Sequence, residues 1–330
     1  MRIVCCPDSL KGVLAADKAA VALAEGIERV PGCEADQIPL GDGGEGTADA
    51  LHAALGGEWQ QARVSDALGR PVEARWLRLP DGRAVVESAQ AIGFWRLTPE
   101  ERDPLNATSE GLGELLLEAV ASGAREVVVT LGGSATVDGG SGLRRTLVGR
   151  DLGGVRLRAA ADVTNPLLGP NGAAHVFGPQ KGATPAQVEE LERRLAAMPE
   201  LRPYAELPGA GAAGGLGAAL AALGASIEPG SALVAEAVGL RSHLAGAALA
   251  VTGEGAVDAT SAAGKVPGAV AKLCRVLGVD CVVFGGRIDG GVEDLLALGA
   301  SDVVPLSGDR KRAVGDLVEL GASLARAYAS

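Results

Sequence analysis

Aromatic residues make up only 2% of this chain of 330 residues, too few to build the stacked-base platforms of single-strand nucleic-acid binders. Basic residues are also in deficit, 30 against 41 acidic ones for a net charge of -11, and no basic patch is visible. That balance argues against a nucleic-acid partner or an anionic membrane surface. The five cysteines, Cys5, Cys6, Cys33, Cys274 and Cys281, form no C-x-x-C pair and are odd in number. They read as the thiols of a reduced, cytoplasmic chain without a structural zinc site. Long apolar runs are missing too: the N-terminal one is too short for a signal peptide, and the others are broken by glycine or charge. A soluble protein with no membrane segment is expected. There is no G-x-x-x-x-G-K-[ST] and no G-x-S-x-G, so neither a P-loop nor a nucleophile elbow is present. His52, His175 and His243 have no metal-ligand spacing.

Glycine, by contrast, is abundant at 49 residues, about double the usual share of roughly 7%. Apolar periodicity predicts strands near 2–6 and 34–40 with helices over 15–30 and 46–55, a β-α-β-α start that implies a parallel sheet. From 59 the pattern switches to period two, with turn signals at "ALGRP" and "PDGR", which predicts three antiparallel strands. A helix over 109–122, strands at 126–131 and 157–162, and a helix capped by Thr184 and Pro185 follow. After 245 the α/β alternation returns, with strands at 247–252, 279–284 and 301–305. The fold class expected is α/β: a discontinuous Rossmann-like parallel-sheet domain, 1–64 plus 245–330, interrupted by an inserted mixed α/β domain, 65–244. Ligands are expected between the domains, beyond the carboxyl ends of the parallel strands.

Three glycine loops stand out: "GDGGEG" (41–46), "GGSATVDGGSG" (132–142) and "PGAGAAGGLGAAL" (208–220). The first fits G-x-G-x-x-G and has Asp66 twenty residues after Gly46, which leaves dinucleotide binding open. However, it follows the second strand, and its two carboxylates, Asp42 and Glu45, would repel a pyrophosphate unless a cation intervened. The lysines are more telling. Against 24 arginines there are six lysines, and Lys11, Lys181 and Lys265 each adjoin a glycine. A lysine is a compact point charge suited to a phosphate or carboxylate oxygen. Asp8, Asp42, Glu45, Asp138, Asp162, Glu254 and Asp258 fall just after expected strands or within glycine loops, and "GGEG" (43–46) echoes "TGEG" (252–255), each expected between a strand and a helix. Carboxylates and lysines beside glycine loops are the inventory of magnesium-assisted phosphoryl transfer, which points to a kinase.

Nine collinear motifs carry a resemblance. In order they are "PDSLKG" (7–12), "GDGGEGT" (41–47), "DALGRPVEA" (66–74), "ERDPL" (101–105), "GGSATVDGG" (132–140), "DVTNPLLGP" (162–170), "FGPQKGAT" (177–184), "PGAGAAGGLG" (208–217) and "TGEGAVDATSAAGK" (252–265). The series resembles the type I glycerate kinases over nearly the whole chain. The resemblance implies ATP- and Mg2+-dependent phosphorylation of D-glycerate, usually on the 2-hydroxyl to give 2-phosphoglycerate, in a cleft between two domains. It leaves room for a homodimer.

Carried over by position, it implies catalytic roles for Lys11, Asp42, Lys181 and Asp258. Substrate and phosphate contacts fall on Asp8, Ser9, Gly43, Gly44, Ser134, Asp138, Gly253 and Lys265, and metal contacts on Asp42, Glu45 and Glu254. The chain departs from the family pattern at Leu10 (usually Phe), Val137 (usually Asn) and Thr260 (usually Gln), and in a shortened stretch between Gly142 and Asp162. Those departures keep two alternatives open: a kinase of a related small hydroxy acid, and an inactive ligand-binding descendant.

Overall fold

The structure, a computed structural model, describes residues 1–329. Its strands, in chain order, are β1 Arg2–Cys5, β2 Glu34–Gln37, β3 Glu58–Ser65, β4 Pro71–Arg78, β5 Ala84–Glu87, β6 Glu126–Thr130, β7 Arg156–Ala161, β8 Ser226–Pro229, β9 Leu249–Glu254, β10 Asp280–Gly285 and β11 Asp302–Pro305. The chain divides into two compact units. The first comprises Met1–Asp42, Asp49–Leu55 and the chain from Gly230 onward; the second comprises Gly43–Ala48 and Gly56–Pro229.

The first unit holds a five-stranded sheet in the order β11-β10-β9-β1-β2, every neighbouring pair parallel. The central strand β9 (LAVTGE) is buried along its whole length, as a parallel strand covered on both faces must be. The helices Ala16–Glu28 and Ala313–Ala329 pack on each other, while Val266–Leu277 lies against β9 and β10. From β1 the chain steps outward to β2; from β9 it steps the other way, through β10 to β11. The boundary between β1 and β9 is therefore the point where strand order reverses, and the loops beyond the carboxyl ends of these two strands flank a crevice there.

The second unit holds a six-stranded sheet, β3-β4-β5-β6-β7-β8. β3, β4 and β5 form the expected antiparallel meander, and β5 to β8 continue in parallel. Its core gathers Val127 and Val129 of β6 with Leu112, Leu115 and Leu116 of the helix Glu110–Ala121.

Two local expectations need correction. Glu254 of "TGEG" is still inside β9, and the next helix waits until Val266, so the echo with "GGEG" holds only in composition. The third glycine stretch is not simply a loop: Ala212–Ala222 is helical, entered through left-handed Ala213, Gly214 and Gly215. The units are also drawn differently from the sequence boundaries. Gly43–Ala48 groups with the second unit because Gly132 N–H donates to Gly43 O and Ala48 N–H to the Glu87 carboxylate. The helices Gly230–Ala237 and Leu240–Leu244 pack on Val266–Leu277, which draws the chain from Gly230 into the first unit. No described helix is long and apolar enough to cross a membrane.

Candidate active site

β1 runs out at Cys5, and the loop after it brings Asp8, Ser9 and Lys11 to the carboxyl edge of the first sheet. Asp8 is fixed there by its own N–H, which donates to the carbonyl of Gly253 at 2.9 Å. Gly253 is in β9 because a Cβ at that position would meet the Phe284 ring at 2.5 Å. It serves the site through its backbone.

Asp8, Asp42 and Glu254 are all buried. Burial and the neighbouring Asp42 charge push the Asp8 carboxyl up to about 8, with Glu254 adding to the rise; the Ser9 N–H (2.6 Å) and Lys11 oppose it. Lys11 reaches Asp42 at 3.2 Å from the exposed turn between Leu10 and Leu14. Lys265, just ahead of the helix Val266–Leu277, lies 3.3 Å from Glu254 and 3.8 Å from Asp258. Burial raises the Glu254 pKa, with Ser261 and Lys265 pulling the other way, and its Oε1 is buried without a hydrogen-bond partner. The departing residue Thr260 donates its N–H and hydroxyl to Asp258 Oδ1, at 2.7 and 2.5 Å, and these bonds lead in holding the Asp258 carboxyl below its ordinary value. A pocket of about 360 Å³ opens beside this group, lined by Ser9, Lys11, Glu254, Asp258 and Lys265 together with Arg287 and Arg310. That size suits a small-molecule site.

In the second unit, Lys181 is buried at the end of a single 3-10 turn. It donates to Ser134 Oγ at 3.1 Å and to the Thr136 carbonyl at 2.7 Å. Burial pushes its pKa down to about 7, against the pull of Asp138. Asp138 in turn accepts from the N–H and hydroxyl of Ser109 (3.0 and 2.7 Å) and from the N–H groups of Gly140 and Gly142 (both 3.0 Å). It thereby ties the starts of the helices Glu110–Ala121 and Ser141–Leu147 together. The two glycine loops touch, since a Cβ on Gly132 would lie 2.4 Å from Gly44 Cα. Gly43 N–H, meanwhile, donates to Thr47 Oγ1 at 3.1 Å. The Glu45 carboxylate is near Gly133, 3.7 Å from where a Cβ would stand.

The expected residues thus form two groups, each described on its own unit: Asp8, Ser9, Lys11, Asp42, Gly253, Glu254, Asp258 and Lys265 on the first, and Gly43, Gly44, Glu45, Ser134, Asp138 and Lys181 on the second. Among the described residues, no group of three or more histidine, cysteine or acidic side chains is gathered as a metal site. Leu10 and Val137 are buried in the apolar cores of their units. Asp66, at the spacing of a ribose-binding acid, is spent on a turn: it accepts from the N–H groups of Leu68 and Arg70 and from Arg70 Nε.

Sequence reasoning missed Glu87 and Arg102. Glu87 is a buried acid ending β5 that caps the helix starting at Thr47. Arg102, inside the quoted "ERDPL", stacks on Phe94 at 4.8 Å with its Nε buried and unpartnered. The motif was visible, but nothing in residue types distinguishes one arginine among 24.

A family model described as the glycerate kinase family matches residues 3–152 and 145–328. A glycerate 2-kinase of Escherichia coli (strain K12) is 40% identical over 313 residues, covering 83% of this chain and 82% of its own. A glycerate kinase of Bacillus subtilis (strain 168) is 38% identical over 313 residues, with 83% and 82% covered. A crystal structure from Salmonella typhimurium LT2, assigned as glycerate kinase 2, matches with a TM-score of 0.85 at 34% identity, covering 99% of this chain and 98% of that one. The two pieces of the family match overlap at 145–152, inside the shortened stretch, where the helix Ser141–Leu147 passes through two turns into β7.

Proposed function

The chain belongs to the glycerate kinase family of enzymes, and on that footing we propose that it transfers the terminal phosphoryl group of ATP to D-glycerate, assisted by Mg2+, to give 2-phosphoglycerate. The observation that carries this reading is the crowding of Asp8, Asp42 and Glu254 with Lys11 and Lys265 at the carboxyl ends of β1 and β9. Acids there can hold a cation and take up a proton, and lysines can offset phosphoryl charge.

The donor set fits a divalent cation. Glu254 Oε1 is buried without a partner, and Asp8 favours its neutral form beside Asp42, two signs of a site short of positive charge. Magnesium usually takes only one or two protein carboxylates and fills its octahedron with water and phosphate oxygens. Asp42 and Glu254 would hold it. When bound, such an ion draws charge from the phosphate oxygens and fixes their orientation.

The chain's own side chains do the rest. Asp8, beside Asp42, accepts the proton leaving the substrate hydroxyl, a role suited to a carboxyl titrating near neutrality. Lys11 and Lys265 stand against the phosphates, Asp258 orients Lys265, and the pocket of about 360 Å³ takes the nucleotide. Ser9 lines the same pocket. On the second unit, Lys181 and Ser134 order the 132–138 loop, Gly43 and Gly44 let it pack closely, and Asp138 anchors its far end.

The test is ADP release from the purified protein with ATP, Mg2+ and D-glycerate, followed by identification of the product. Glycerate-dependent ADP with 2-phosphoglycerate is expected. A folded protein that releases none overturns the reading, and 3-phosphoglycerate corrects its regiochemistry.

A further inference from the structure

Around Arg102 the second unit builds a cation and leaves it unanswered. The residue before it, Glu101, is fully engaged: its carboxylate pairs with Arg70 at 2.6 Å and closes a capping box on Thr98. Arg70 is gripped in turn by Asp66, whose carboxyl stays below its ordinary value because the Arg70 and Leu68 hydrogen bonds outweigh its burial. This chain of pairs fixes the backbone at 101 and engages the carboxylates of Glu101 and Asp66, while that of Asp103 accepts from Asn106. Arg102 follows on rigid footing, half-buried, its guanidinium 4.8 Å from the Phe94 ring centre. Among the described residues that guanidinium makes no hydrogen bond or ion pair, and its Nε is shut off from water. A guanidinium without a hydrogen-bond partner is costly to hold half-buried, so a partner from outside the chain is called for.

The neighbourhood is that of the candidate site. Phe94 N–H donates to the Gly133 carbonyl at 2.9 Å, and Gly93 bridges Ser134. Gly182, next to Lys181, has a φ of +98° and passes so close that a Cβ would meet Arg102 Cβ at 3.1 Å. The motifs "ERDPL" and "FGPQKG" are thus brought together at backbone level, beside the loop that Lys181 organises.

We propose that Arg102 is the residue that binds the substrate's carboxylate and so selects a hydroxy acid over a neutral polyol. The inference rests on the glycerate kinase reading and deepens it. With one face of the guanidinium covered by Phe94, the free donors lie in its plane. A planar carboxylate accepts two parallel N–H bonds in that plane, which a lysine cannot offer.

The experiment compares wild type, R102M and R102K with D-glycerate and with its uncharged amide at saturating ATP. In R102M the KM for D-glycerate should rise about 100-fold, the loss of two charge-assisted hydrogen bonds. The KM for ATP should stay within about threefold, and the preference for acid over amide should collapse. R102K should recover only part of it. An unchanged acid-to-amide ratio, or a rise confined to the KM for ATP, overturns the proposal. Calorimetric titration of D-glycerate reads the same contact without turnover. Binding by wild type that is lost in folded R102M upholds the proposal even if no ADP forms, in which case the kinase reading alone fails. Equal binding by both proteins, or none by wild type, overturns it.

Discussion

In the first unit Asp8 is pushed towards keeping its proton, to about 8, because it is buried beside Asp42. In the second unit Lys181 is pushed towards losing one, to about 7, because it is buried with only neutral acceptors on its ammonium and Asp138 nearby. Burial disfavours charge in both places, yet the shortage it leaves is opposite. The first group has too little positive charge around its acids. The second holds cations, the buried Lys181 and the half-buried, stacked Arg102, with too little negative charge around them. A site of the first kind invites cations, and one of the second kind invites carboxylate or phosphate. One sheet edge taken alone would have suggested half of this chemistry.

The strongest way to break the comparison is at its acidic side. Asp42→Asn removes the partner of Lys11 and the charge that raises Asp8, and kcat should fall by about 10³-fold, as for loss of a residue acting in proton transfer and charge placement. Its pH profile should also move to lower pH. Turnover within tenfold of wild type, measured by ADP release, would remove Asp42 from the mechanism.

On the cationic side, Lys181→Met keeps the volume but drops the hold on Ser134 and Thr136. A fall in kcat of about 10²-fold is expected, larger than any change in the KM for ATP. Equal kcat in the variant would make the lysine a packing residue only.

Titration sharpens the contrast further. Asp8 has a folded-state pKa above its ordinary 3.8, so the folded first unit binds the extra proton and loses stability as pH climbs from about 4 to 8. Lys181 has a folded-state pKa below its ordinary 10.5. The unfolded chain therefore binds the extra proton, and the second unit gains stability from about 7 to 10.5. Hydrogen exchange followed by peptide should show opposite slopes in the two units, flattened by Asp8→Asn in the first and by Lys181→Met in the second. A rising slope in the first unit would contradict the assignment of Asp8, and a falling one in the second that of Lys181.

The smallest effect belongs to Thr260→Ala. Loss of the hydroxyl bond should let the Asp258 pKa drift up while Lys265 stays in place, and kcat/KM should change by less than about threefold. A tenfold change would restore this position as a determinant of substrate choice.

Much of this was legible in the sequence because burial writes itself as pattern. β1, β6, β9 and β10 are apolar runs, the meander alternates, and Thr184 with Pro185 marks its helix start by a capping box. Lysine scarcity and acids beside glycines pointed to Lys11, Lys181, Lys265 and the acids around them, but not to Arg102. What could not be read were relations fixed by tertiary approach. Val137 looked like a specificity position until its side chain was found in the core. Asp66 had the spacing of a ribose ligand until Arg70 was found holding it. The isolation of Arg102 depends on where Glu101, Arg70 and Phe94 end up. β8 and the helix entered through Ala213 were hidden by short length and by glycine composition.

The pairing of β1 with β9 has a bearing on how the protein is made. Ile3 is made well before its sheet neighbour Leu249, which emerges only after the whole second unit. Such non-local pairing is slow to form, and a growing chain tends to fold domain by domain. The second unit, nearly continuous in sequence, can close while β1 waits with Ile3, Val4 and Cys5 uncovered. Synthesis therefore passes through a stage in which β1 has been made and has no β9 beside it to shelter it.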